Sequence, residues 1–135
     1  MPESMKKVAT FPHHELFIAE ADDILIVVPE AGFKDTAEFS RVTVAFLQEY
    51  ARKLGKKCGL VIVVNNILDQ GSESRHIYAE GVGPELFFGI AMVVNNLLAR
   101  MIGNFALHLT TLQVPLCLVE NIEAASAWLE ALRKP

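Results

Sequence analysis

The chain has 135 residues, 52% of them apolar and 21% charged, and a formal net charge of −4. That describes one compact domain with a sizeable core. The mild acidity, relieved only by the small clusters Lys6-Lys7 and Lys56-Lys57, argues against nucleic acid or anionic membrane as partners.

Residues 1–14, polar and interrupted by Pro2 and Pro12, read as a loose leader, and residues 15–135 as a single domain. The N-terminus has charges but no apolar core before Phe17, so it lacks the signal-peptide pattern and a cytoplasmic location is expected. Glu15–Glu20 and Ile24–Val28 are strand patterns joined only by Ala21-Asp22-Asp23, a link too short for anything but an antiparallel hairpin. A long helix is predicted from Thr36 to Leu54. Asp35 and Glu38 have capping-box spacing, Phe39, Val42, Phe46, Tyr50 and Leu54 form the inner stripe, and Gly55 is the stop.

Two similar stretches follow. Leu60 to Leu68 reads LVIVVNNIL and Ile90 to Leu98 reads IAMVVNNLL, each a short β-branched run closed by an asparagine pair. Such runs mark fully buried strands, predicted at Gly59–Val64 and Phe88–Val94. Their flanking segments do not match, so convergence of two neighbouring strands explains the likeness better than duplication. The turn residues Asp69, Gly71, Ser72 and Ser74 lead into a short helix at Glu73–Glu80. A helix at Leu97–Leu109 follows, with Asn95 or Asn96 as its N-cap. Then come a strand at Leu116–Val119 behind Pro115 and a final helix capped by Asn121 and running to Lys134, with Ile122, Ala125, Leu129 and Leu132 inward. The order β-β-α-β-α-β-α-β-α predicts an α/β fold with one mixed sheet of about five strands and helices packed on it.

In that order, several segments resemble the STAS-like superfamily, in particular its small stand-alone bacterial branch similar to sporulation anti-sigma-factor antagonists. They are the strand Ile90–Val94, the helix core Arg100-Met101-Ile102-Gly103-Asn104-Phe105, the Val114-Pro115 strand start, and the last-helix residues Glu123, Ala125, Trp128 and Leu129. The resemblance implies a non-enzymatic binding or regulatory domain without a cofactor. It also implies a phosphorylated serine after the third strand. The family's Asp-Ser-Ser-Gly motif is absent, and the corresponding region, Asp69 to Ser74, offers Ser72 and Ser74, with helix capping as the alternative role for Ser72.

No catalytic motif competes with that reading. No P-loop, G-x-S-x-G or G-x-G-x-x-G occurs, and none of His13, His14, His76 and His108 has the paired spacing of a metal site. Cys58 and Cys117 sit at apolar runs, as buried reduced thiols do. The longest apolar run, Leu86 to Val94, is too short to span a bilayer.

Two surfaces stand out. The helix from Leu97 is apolar around most of its circumference, with Arg100, Asn104 and His108 as a polar stripe. It either lies under another helix of the chain or pairs with its twin in a homodimer, with Leu97, Arg100, Met101, Asn104, Phe105 and His108 at the interface. Ligands of open α/β sheets bind beyond the carboxyl ends of the parallel strands. Asn65, Asp69, Asn95 and Asn96 therefore either mark a strand-end cleft of a small-ligand carrier or enzyme, or only cap helices and turns. The expected module is homodimeric, with an unnamed protein partner.

Overall fold

A computed structural model describes residues 5–19, 23–109 and 111–133. Its main sheet holds six strands: β1 (Lys6–Phe11), β2 (His14–Ile18), β3 (Ile24–Pro29), β5 (Cys58–Val63), β7 (Phe87–Val93) and β8 (Leu116–Val119), neighbours in that order. β1, β2 and β3 are antiparallel neighbours, whereas β3, β5, β7 and β8 are parallel. The short strands β4 (Phe33–Asp35) and β6 (Ile67–Gln70) pair in parallel as a separate small sheet. Four helices pack on this frame: α1 (Ala37–Leu54), α2 (Ser72–Gly81), α3 (Leu97–Leu107) and α4 (Ile122–Arg133).

Alternation in the strands divides the core between two faces. Leu25, Val27, Leu60, Ile62, Ile90 and Met92 point to the side covered by α1, α2 and α3. Ile24, Ile26, Val61, Ala91 and Val93 point to the side where Ala125 and Leu129 of α4 are buried. Gly59 and Gly89 sit side by side in β5 and β7, and this flat patch is where Leu129 packs.

Several expectations change. The leader is not loose throughout: Lys6–Phe11 is an edge strand, so the main sheet has six strands where a single sheet of about five was expected, and the unpredicted β4 and β6 form a second sheet. Pro12 and His13 make the two-residue turn to β2, with His13 in the left-handed region at φ 64. Proline presets the first of these turn positions, so the residue that read as an interruption is the turn itself. The turn at Ala21-Asp22-Asp23 lies, apart from Asp23, outside the described residues, as does Lys134.

α1 is rotated from the expected stripe. Ser40, Thr43, Val44, Leu47 and Ala51 are buried, Phe39, Phe46, Tyr50 and Leu54 flank them, and Val42 is exposed. The cause is α2, which packs along α1 and brings Gly81 against Val44 and buried Ser74 near the start of α1. Thr36, not Asp35, caps α1, accepting from the Phe39 N–H at 3.3 Å. Gly55 ends α1 at φ 72, Asn96 caps α3 and Asn121 caps α4. α3 stops at Leu107, two residues short of the predicted end; there the His108 Nδ1–H donates to the Asn104 carbonyl at 2.7 Å. Leu132 of α4, expected inward, is partly exposed.

Candidate functional site

The asparagine pairs occur where the parallel strands end. The Asn65 side chain accepts from the Asn95 N–H at 2.7 Å, and the Asn96 amide donates to the Asn65 carbonyl at 3.3 Å. The Asn95 amide reaches the Glu120 carbonyl at 3.4 Å, and Asn66 donates to the Pro29 carbonyl at 2.7 Å. These bonds tie the ends of β3, β5, β7 and β8 together. The depression beside Asn65 and Asn95 is open and shallow, with Glu120 and Glu123 at its edge. Three of the four expected ligand residues thus meet at the strand ends. Asp69 does not join them; it lies exposed on β6, next to Lys34 of β4 in register.

The two serines have unlike settings. Ser72 is exposed in the first turn of α2, whose N-cap position is Gly71 and has no side-chain cap. Ser74 is buried and its hydroxyl donates to the Asp35 carbonyl at 3.1 Å. Glu73, in the first turn of α2, pairs with Arg41 of α1 at 2.8 Å on the exposed surface.

Ser74 belongs to a buried polar cluster that the sequence reading did not find. The Asp35 carboxylate accepts from the Ser40 hydroxyl at 2.7 Å and from the Gln70 amide at 2.8 Å. Burial holds the Asp35 carboxyl above the usual carboxylate range, and the two hydrogen bonds partly offset that. The Tyr78 phenol, bonded to Thr43, is pushed up by burial and then by Asp35. No local pattern pointed here, because Asp35 had the spacing of a helix cap.

His14 lies beside this cluster. Its ring stacks on Phe11 at 4.9 Å, meets the edge of Phe33 at 4.7 Å, and donates from Nδ1 to the Pro12 carbonyl at 2.7 Å. Burial lowers its pKa, so the imidazole stays neutral. His14, Tyr78 and Arg75 line a cleft between the sheet, α2 and α3, whose walls are otherwise mostly aliphatic. It offers about 40 Å³ of free space.

The outer side of α3 is the most exposed apolar surface described. Leu97, Leu98, Met101 and Phe105 are 78%, 38%, 49% and 52% exposed, while Ala99, Ile102, Gly103 and Ala106 face the core. Neither α1 nor α4 covers this stripe. Leu68 of neighbouring β6 is also exposed, and the Arg75 guanidinium sits 4.7 Å above the Phe105 ring. Arg100, Asn104 and His108 border the stripe, and Arg100 is already paired with Glu120 at 3.3 Å.

Among the described residues, no group of three or more His, Cys, Asp or Glu could hold a metal ion, and no helix is long and apolar enough to cross a membrane. Cys58 is buried, and burial pushes the Cys117 thiol up to about 11, which keeps it protonated. No curated protein and no solved structure matches the chain. One family model does, over residues 18–133, and the chain therefore belongs to the family described as a domain of unknown function, DUF7793.

Proposed function

We propose that this domain works by binding and not by catalysis, as a homodimeric, STAS-like recognition module that is joined through α3 and serves a regulatory protein partner. The observation that supports it is the stripe of Leu97, Leu98, Met101 and Phe105, left bare by the chain's own helices. A second copy suits it. Met101 lies midway between Leu97 and Phe105, so a two-fold axis at Met101 sets Leu97 of each copy against Phe105 of the other. Both ends of the stripe are then covered at once, and the bordering Arg100, Asn104 and His108 remain in water. The shallow strand-end depression, whose asparagines are engaged in bonds to each other and to backbone, gives the rival strand-end cleft less support.

Light scattering on the eluting protein at micromolar concentration is the test. The native chain is expected to run as a dimer and Met101→Lys as a monomer with unchanged circular dichroism. On the axis, two lysines face each other, and like charges there cost several kcal/mol, roughly a hundredfold or more in the dimer dissociation constant. A native chain that stays monomeric throughout that range would overturn the reading.

A further inference from the structure

We propose that the cleft beneath α2 and α3 is a binding site for a compact apolar molecule bearing a single hydroxyl or N–H group, which donates to Nε2 of His14. Two observations meet here. The first is the cleft itself, walled by Val27, Ile62, Ile90, Met92 and Ala106, whose free space of about 40 Å³ is closed off on the sheet side. A single water needs roughly 10–15 Å³ on this measure, so the space exceeds what a lone structural water fills.

The second is His14, which is 3% exposed yet has an unmatched nitrogen. A proline carbonyl only accepts, so the bond from Nδ1 to Pro12 places the proton on Nδ1 and leaves Nε2 as a lone pair. Nε2 has no hydrogen-bond partner among the described residues. No inaccessible side-chain nitrogen or oxygen lacks a partner there either, so Nε2 is reachable by water, and His14 lines both this cleft and a more open depression with Thr10, His13, Glu15, Val28 and Glu30. The ring points to the α-helical side, because Leu16, two residues further along β2, lies in the core on that face. The cleft therefore combines an aliphatic wall with one unpaired acceptor, and a neutral imidazole selects a donor group and not an anion. Arg75, partly exposed, stands at the cleft with its Nη1 engaged by the Gln70 carbonyl at 3.0 Å.

Phenol and toluene, alike in shape and differing in one donor, are suitable probes. Titration of the isotope-labelled full chain with each is followed by nuclear magnetic resonance, at up to roughly 10 mM, ten times a dissociation constant of 1 mM. Phenol is expected to move the amides of cleft residues and the imidazole Nε2 resonance of His14, and toluene to move the amides alone. His14→Phe, which keeps a ring against Phe11, is expected to lower the affinity for phenol relative to toluene about tenfold, the equivalent of one net hydrogen bond. Ala106→Leu, which fills the cleft, is expected to weaken both. The Nε2 readout uses the unsubstituted protein, so it holds even where a variant fails to fold. Absence of phenol binding, or phenol binding that leaves Nε2 unmoved, would overturn the proposal.

Discussion

Leu129→Ala is expected to destabilise the domain by about 2–5 kcal/mol, the range for emptying a fully buried leucine site, with a fall in melting temperature on the order of 10 °C. Leu129 is fully buried and is the residue by which α4 sits on the sheet. The neighbouring glycines make that seat. A methyl group at Gly59 would come within 2.8 Å of Phe88 Cζ and 3.1 Å of Leu129 Cδ2, and one at Gly89 within 2.6 Å of Leu132 Cδ2. Gly59→Ala alone should therefore cost about 1–3 kcal/mol through overpacking. In the Leu129→Ala background the contacts with Leu129 are gone and only that with Phe88 remains, so the same methyl should cost less, a coupling of roughly 0.5–3 kcal/mol. Urea unfolding of the four proteins closes the cycle. Strictly additive losses would show that α4 is not seated through this leucine–glycine contact.

The second large effect falls on Asp35. Asp35→Ala leaves the buried hydroxyl of Ser40 and the amide of Gln70 without their acceptor, and at about 1–3 kcal/mol for each orphaned group the loss should be about 2–5 kcal/mol. Asp35→Asn keeps an oxygen for Ser40 and, with the Gln70 amide turned over, satisfies that side chain as well. It should stay within about 1 kcal/mol of the native chain at neutral pH, since it also removes a buried charge. Equal losses in the two variants would refute the hydrogen-bond account.

The pH dependence separates charge from hydrogen bonding. Burial raises the Asp35 pKa, so between the unfolded and folded values the native state holds the extra proton, and stability falls as pH rises through that window. Asp35→Asn should remove this loss. His14 is shifted the other way by burial, so the unfolded state holds the extra proton, and stability falls as pH drops from the ordinary histidine value towards the lowered one. His14→Phe should remove that loss and leave the Asp35 window in place. Melting temperatures of the native chain and the two variants across both windows separate the effects of these two neighbouring groups.

Much of the frame was legible because its signals are local. The β-branched runs at Gly59–Val64 and Phe88–Val94 need only their own residues to announce buried strands, and they correspond to β5 and β7. Asn96, Asn121 and Gly55 end or begin helices through bonds to residues three or four positions away, and all three do so in the structure. The apolar circumference of the Leu97 helix likewise showed in its own sequence, and its bare stripe is found on α3.

What the sequence by itself determined is thus the four helices, the strands β2, β3, β5, β7 and β8, the caps of α3 and α4, the stop of α1 and the surplus apolar surface of α3. Each is written at periods of two to four residues, within reach of local hydrogen bonds and side-chain spacing. Only the tertiary structure decided how those elements share their faces. It drew Lys6–Phe11 into the sheet as β1, turned α1 so that Ser40 and Thr43 point inward, and sent Asp35 to Gln70 and Ser74, partners 35 and 39 residues away. It also placed His14 at a cleft under helices that begin far along the chain. Such groups stabilise one another only after the sheet has brought distant segments together, and no local pattern encodes that proximity.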